Sequence, residues 1–585
     1  MRKRRNITLK DCYKTFTRDQ DKAISPEETV RRFYRQVGKL EINILNEVNR
    51  IDNGRLDIPV YFSICGDDAS VVTGTKKQMG KGASPQQAKA SACMELAERF
   101  SFFSFKSDSA NFLVGDYQQM RLAGHPVMDV ELLLLSVHDT TTTVATFEQF
   151  LAGLVMQWTW GTNMTTGQDT LVPFSWFYAI NEFNGPSAGN SCEEAALQGI
   201  CEIVERHVCS LISHRQLATP RIDPASVTDP VAVELLEKFS RNTIELYLND
   251  FSLDTGICTV GALAIDRSTF PGKSEIVYTA GTTTNPEKAL IRAVTEVAQL
   301  AGDFNSGSNY VASGLPKPLS MEEVSYITES DRCTAIDKMV DIASDNIRVE
   351  VENAIVALKN LGLQVFMIDV THETLDIPAL YTIVPGAHFR ERSMIHDVGL
   401  FTAKLLVESD SGHEMVEQKL QQMQTLLPDA YYLEFYRGKN YVNMGFPEPA
   451  IEHFDRALSL EPEEEDIPYI HSFKGYCLKE MGRHEEAIVT LNQGLAHDEQ
   501  RPDIHNMLGV CHFKLNAFAT AIYHFKRAVE LNPASGIDYA NIGINCSRLG
   551  QDEEAIHYLT IALTLDPSLE FAKDELARLM ADRQQ

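Results

Sequence analysis

The amino-acid sequence predicts an α/β (α+β) domain of layered sheets and helices, followed by an all-α solenoid of helix pairs. Three observations carry that prediction. Up to about residue 405, helical patterns are interspersed with short β-branched and aromatic runs. Three helices in that half begin alike and carry acidic residues in one shared register. Beyond about residue 430 the chain repeats a helix–turn–helix unit. The predicted organisation is 1–405 as the first domain, 406–429 as a linker with a helix, and 430–585 as the repeat domain.

In chain order, the first strand is Val60–Ile64. Lys76–Ser84 reads as a small-residue turn that brings ammonium charge to a helix start. That helix opens at Ser84-Pro85, an N-cap followed by a residue whose missing N–H costs nothing. Asn184–Ser191 is a second small-residue turn, whose N–H groups can approach an anion, and Ser191 caps the second helix. Gly256–Ile265 and Ile276–Thr279 read as strands, and Asn285-Pro286 opens the third helix. Gln364–Ile368 and Ala379–Val384 complete the predicted strands.

Counted from each cap, position +4 is Ala88, Ala195 and Ala289, and position +7 is Ser91, Gln198 and Arg292. Position +11 is Glu95, Glu202 and Glu296, and position +14 is Glu98, Glu205 and Gln299. At ~100° per residue, the last three positions fall within about 60° of arc on one helix face. Beside them on the first helix, Ala92, Leu96, Phe100 and Phe103 form a core stripe. Carboxylates at the edge of a packed interior require cationic compensation.

Five carboxylates in one register suit magnesium bound to polyphosphate, because Mg2+ takes oxygen ligands and keeps phosphates in its shell. Arg99, Arg206 and Arg292 suit the phosphate oxygens. Plainer readings stand beside these. Glu194, three residues after Ser191, completes a capping box without any ligand. Glu98-Arg99 and Glu205-Arg206 are sequence neighbours that point apart and pair elsewhere as ordinary ions. No Walker-type phosphate loop is present. Spacing alone reaches divalent cations with an anionic ligand.

Net charge of −28 argues against broad binding to nucleic acid or anionic membranes, and no run approaches a membrane span. The opening Met1–Arg5 is basic but runs into polar Asn6–Asp11, so no secretory signal is read and a cytoplasmic location is expected. Eleven cysteines, without any Cys-x-x-Cys pair, match no zinc or iron–sulfur spacing and read as reduced, mostly buried thiols.

In the second half, Ala450, Ala487, Ala521 and Ala555 recur with gaps of 37, 34 and 34 residues, and Gly438, Gly475, Gly509 and Gly543 follow the same spacing. This period resembles the tetratricopeptide repeat, with small residues where paired helices approach. Leu569–Leu579 reads as the polar capping helix such arrays need.

Gly80–Phe100 resembles the first signature of the YcaO-domain family and Ser187–His207 the second. Arg292–Gln299 resembles the third, and Asp57–Val60 and Val384–Gly386 match smaller pieces, so the likeness spans roughly 55–390. The resemblance implies a YcaO-type catalytic domain that binds ATP through Mg2+ ions bridging glutamates and phosphates. Carried over by position, Glu95, Glu98, Glu202, Glu205 and Glu296 are the metal ligands. Ser91, Asn190, Glu194, Arg206 and Arg292 match the nucleotide-contacting positions, with Lys81 and Ser187 as weaker matches.

Family members activate a backbone amide. A nucleophile adds to the amide carbon, the oxyanion takes the γ-phosphoryl group of ATP, and phosphate leaves. A Cys, Ser or Thr side chain gives an azoline, sulfide a thioamide and an amine an amidine. Azoline-forming members end in a proline-rich tail, whereas this chain ends Leu579–Gln585, which moves the expected product towards thioamidation or another sulfur modification. The implied partners are a peptide or protein substrate and a sulfur-delivering or substrate-recruiting protein, with a homodimer expected. The rival reading is a non-catalytic ATP-binding scaffold for ribosomal-protein methylthiolation or another modification complex. No general base is assigned, and His207 and His388 are read as structural.

Overall fold

The computed structural model describes residues 6–583 apart from 53, 182–183, 302–303, 305–317, 390–396 and 410. The chain divides between Val398 and Gly399 into two compact units.

Among the described residues, three sheets build the first unit. β1 (Leu45–Arg50), β2 (Val60–Cys65) and β3 (Lys77–Lys81) form an antiparallel meander. A second sheet runs in the order β4 (Leu113–Gly115), β5 (Met156–Asn163), β13 (Phe366–Asp369), β14 (Ala379–Ile383) and β7 (Pro186–Ala188), with β6 (Gln168–Pro173) also on β5. The third runs β11 (Val277–Thr283), β10 (Cys258–Ile265), β9 (Glu245–Asp250), β8 (Arg221–Ile222) and β12 (Cys333–Thr334), and its last pair is parallel.

All five predicted strands are present, as β2, β10, β11, β13 and β14. Two predicted turns are corrected. Lys76–Ser84 contains β3, which pairs Gly80 with Tyr61, and Asn184–Ser191 contains β7, which pairs with β14. In both, glycine-rich local composition is overridden by a neighbouring strand that offers its free backbone groups.

The three acidic helices are Pro85–Ser107, Cys192–Arg215 and Pro286–Ala301. Ser84 Oγ accepts from Gln87 N–H at 3.3 Å, Ser191 Oγ from Glu194 N–H at 3.2 Å, and Asn285 Oδ1 from Lys288 N–H at 3.1 Å. Each helix then lies almost in contact with backbone just upstream of its cap. A Cβ on Gly80 of β3 would stand 2.0 Å from Ala92 N, one on Gly281 of β11 2.4 Å from Ala293 N, and one on Gly189 2.5 Å from Ala195 N. The recurrent alanines at +4 are fully buried at these crossings, as are Ala92 and Ala293 one turn later. Glycine in the strand and alanine in the helix therefore set the depth at which each helix sits.

In the second unit, helix His413–Leu426 precedes four helix pairs that begin at Tyr431, Ile467, Pro502 and Gly536, and Glu570–Asp582 closes the array. The recurrent glycines mark the crossings within each pair. A Cβ on Gly438, Gly475, Gly509 or Gly543 would lie 2.5, 2.4, 2.7 or 2.6 Å from Phe454, Leu491, Phe525 or Leu559. Glu434, 8% exposed, is held by His453 Nδ1 at 2.7 Å, Arg456 at 2.9 Å and Arg437 at 3.1 Å.

Two outcomes follow. Gly80→Ala forces the first helix off β3, which is expected to cost about 1–3 kcal/mol in urea unfolding. For Glu434, burial raises the carboxyl, but hydrogen bonds from His453 and Arg456 outweigh it and hold the group at about 2, below the ordinary 4.5. A depressed carboxylate stabilises fully above its unfolded value, so that stability, about 3 kcal/mol at most, is lost as pH falls from about 4.5 towards 2. Urea titrations across this range should show the loss in the wild type and a smaller slope in Glu434→Gln.

Candidate nucleotide and metal site

The three acidic faces converge. Glu205 on the second helix accepts from Thr282 N–H of β11 at 3.0 Å, and Arg292 Nε of the third helix stands 3.5 Å from the same oxygen. Arg292 Nη1 also donates to Gln198 Oε1 on the second helix at 3.0 Å. Lys81, from the end of β3, pairs directly with Glu296 of the third helix. On the first helix, Arg99 lies 3.2 Å from Glu95 and 3.5 Å from Glu98. The expectation that neighbours Glu98 and Arg99 point apart is thus corrected, because the long guanidinium stem folds back along its own helix.

The segment around β7 supplies backbone donors to two helices at once. Ala188 N–H donates to Glu98, and Gly185 N–H donates to Glu202 Oε2 at 3.4 Å. Burial, then the neighbouring Glu95, pushes Glu98 well above the ordinary carboxylate range. Burial also raises Glu202, although Arg206 and Arg99 oppose it, and Glu95 and Glu205 add to the rise. Lys81 is lowered to about 7, first by burial and then by Arg292. Five carboxylates thus share one site with four basic groups, Lys81, Arg99, Arg206 and Arg292.

Such a site fits Mg2+. Its donors are hard carboxylate oxygens, and burial makes their charged forms costly until a cation arrives. Among the described residues, no three His, Cys, Asp or Glu side chains form a finished metal cage.

The other predicted residues fall around this cluster. Ser91 lies half-buried one turn before Glu95. Asn190 donates its N–H and Nδ2 to Glu194 Oε2 at 2.9 and 3.0 Å, while Glu194 Oε1 takes Ala23 N–H at 2.6 Å. Glu194 therefore does not close the capping box back onto Ser191 but binds the residue before the cap and a distant strap. Ser187 is fully buried, and its hydroxyl donates to Ala195 O at 2.8 Å.

That strap, residues 7–23, is the part sequence reasoning missed. Lys10 N–H donates to Glu193 at 2.6 Å, Asp19 accepts from Ser84 Oγ at 3.3 Å, and Arg18 O accepts from Lys288 Nζ at 2.7 Å. It therefore touches the first turn or cap of all three helices. Its only sequence signal was an irregular polar run, which has no period to read.

Burial pushes Cys93, Cys192 and Cys201 up to about 12. His207 Nδ1 accepts from His388 N–H at 3.1 Å, and burial, then His138, lowers His207 to about 4. The His388 ring stacks on His138 at 3.7 Å. These contacts agree with structural roles for both histidines.

Residues 79–388, more than half of the chain, match the family described as YcaO cyclodehydratase, ATP- and Mg2+-binding, and the chain belongs to that family. Its cofactors are ATP and Mg2+, and its class is that of ATP-dependent peptide-modifying enzymes. Residues 502–535 match the tetratricopeptide repeat. An uncharacterized protein of Methanothermobacter thermautotrophicus is 28% identical over 390 residues, 62% of this chain and 94% of that protein. An uncharacterized protein in the tfuA 3' region of Rhizobium leguminosarum bv. trifolii is 24% identical over 398 residues, 63% and 88% of the two chains. Among solved structures, a heterocyclase in complex with substrate and cofactor shares the fold, with a TM-score of 0.53 and 22% identity. The likeness covers 66% of this chain and only 55% of the heterocyclase. Among the described residues no helix is long and apolar enough to cross a membrane.

Glu202→Gln and Glu205→Gln should each weaken Mg·ATP binding at least tenfold, about 1.4 kcal/mol, in calorimetric titrations, with circular dichroism unchanged.

Proposed function

We propose that this chain uses ATP and Mg2+ to activate a backbone amide oxygen of a peptide or protein, leading to thioamidation or a related sulfur or azoline modification. The observation that supports it is the convergence of three capped acidic helices on one site with four basic side chains. In this reading Glu95, Glu98, Glu202, Glu205 and Glu296 hold Mg2+. Ser91, Asn190, Glu194, Arg206 and Arg292 bind the nucleotide, and Lys81 and Ser187 support them.

An amide oxygen is a poor leaving group, and phosphorylation makes it a good one, so the protein's task is positioning and charge neutralisation. Bound Mg2+ supplies Lewis-acid neutralisation of phosphate charge. Arg206 and Arg292 add fixed positive charge at no reorganisation cost, and Gln198 and Glu205 orient the Arg292 guanidinium. Lys81 is held ready by its pairing with Glu296. The repeats fit a docking role for a substrate-recruiting or sulfur-delivering protein, or for a second copy of the chain in a homodimer, in the cytoplasm.

The deciding measurement compares peptide masses in cells with and without the protein. A shift of about +16 Da reports oxygen replaced by sulfur, and about −18 Da reports loss of water, the two outcomes of a phosphate-leaving mechanism. Glu202→Gln should abolish whichever shift is seen. A Glu202→Gln protein that retains both nucleotide binding and modification would refute the reading.

A further inference from the structure

Each helix pair of the repeat unit carries one polar crossing, four residues before the recurrent glycine and three after the recurrent alanine. The first pair holds Glu434 and His453 there, the second His471 and Thr490, the third His505 and His524, and the fourth Tyr539 and Tyr558. Glu434 and His453 form an ion pair at 2.7 Å, and the two tyrosine rings stack with centres 6.4 Å apart.

The third pair, helices Pro502–Lys514 and Phe518–Leu531, instead sets two like groups against each other. His505 Nδ1 lies 3.1 Å from His524 Nδ1, and both residues are buried. His512, two turns along from His505, stacks on His524 with ring centres 5.4 Å apart. Two imidazole nitrogens at this distance bond only when one carries a proton and the other does not. His505 also donates to the backbone of Glu499, which leaves its Nδ1 as the acceptor and His524 Nδ1–H as the donor. A proton on His505 Nδ1 would set donor against donor, and a charged His524 would face two other imidazoles.

The surroundings give such a cation little relief. Arg527, on the second helix, adds like charge to His505, while Glu499 and Asp503 oppose it. Asp503 is already held by Arg501 through two bonds of 2.8 Å. Of the neighbouring helices, Ile467–Glu480 turns His471 and Cys477 inward, and His484–Leu495 turns in Ala487, Thr490, Leu491 and Gly494, none of them ionisable. Gly536–Arg548 turns in Cys546 and Asp538, and Asp538 is engaged by Asn506.

We propose that the third pair is an acid-sensitive joint in the array: on mild acidification the His505–His524–His512 cluster takes up protons and its crossing opens, while the first and fourth pairs stay closed. Burial comes first in lowering all three imidazoles, and His505 and His512 help to bring His524 to about 4 from an ordinary 6.5. An imidazole held below its unfolded value stabilises fully above pH 6.5 and loses that contribution as pH falls towards 4. For His524 alone the loss amounts to roughly thirtyfold in the opening equilibrium by about pH 5. Over that range Glu434 keeps its charge, because its carboxyl is held at about 2, and the tyrosines of the fourth pair stay neutral.

Hydrogen exchange of the full chain, read by peptide mass at about pH 7.5 and about pH 5 and corrected for intrinsic rates, tests this. Peptides from 502–531 should lose at least tenfold in protection at the lower pH, and those from 431–459 and 536–565 less than threefold. A smaller loss in 502–531, or a matching loss in the outer pairs, overturns the proposal. The double variant His505→Tyr and His524→Tyr gives the third crossing the residues of the fourth and should abolish the loss. Its persistence overturns the proposal. If that variant does not fold, His505→Glu copies the first pair, whose carboxylate faces a histidine. Protection of 502–531 should then fall less than threefold at the lower pH, and any larger loss overturns the proposal.

Discussion

The close crossing of glycine strands and alanine-faced helices governs everything built above it. Gly80 against Ala92 and Gly281 against Ala293 leave no room for even a methyl group. Because side chains at +4 and +8 are fixed at that contact, those at +7, +11 and +14 are fixed as well, on the neighbouring face. The acidic register is thus a consequence of backbone contact, repeated on β3, on β11 and beside β7. A helix standing a single ångström further out would carry its carboxylates away from their partners on the other two.

That placement creates the electrostatic problem the site exists to exploit. Glu98 and Glu202 sit where burial disfavours their charged forms, and their acidic neighbours make matters worse. Arg99, Arg292 and Lys81 partly compensate, each ion-paired with a carboxylate of the cluster. Backbone N–H groups at Gly185 and Ala188 add direction without adding charge. An arrangement balanced in this way gains most from a divalent cation carrying an anionic ligand, because both signs of charge then find partners in one step.

Much of this was legible in the primary structure, but unevenly. Caps at Ser84, Ser191 and Asn285 were readable because a cap is a local hydrogen bond. The repeats were readable because Gly438, Gly475, Gly509 and Gly543 recur with a period. β3 and β7 were hidden because glycine-rich segments become strands only when a partner edge is present. The pairing of Arg99 with Glu98 was hidden because adjacency on a helix says little about where a long side chain ends.

The strap has a temporal implication. Cys12 N–H bonds Asn346, and Lys14 bonds Glu350, across 334 and 336 positions of chain. During synthesis the front of the polypeptide therefore waits for distant partners that leave the ribosome much later. Until they emerge, the anchors at Glu193, Glu194 and Ser84 can hold it only in part. The nascent protein should thus complete its first and third sheets before the strap closes, with β13 and β14 of the second sheet emerging later still, and a chaperone that engages the leading end would delay the strap without delaying those two sheets.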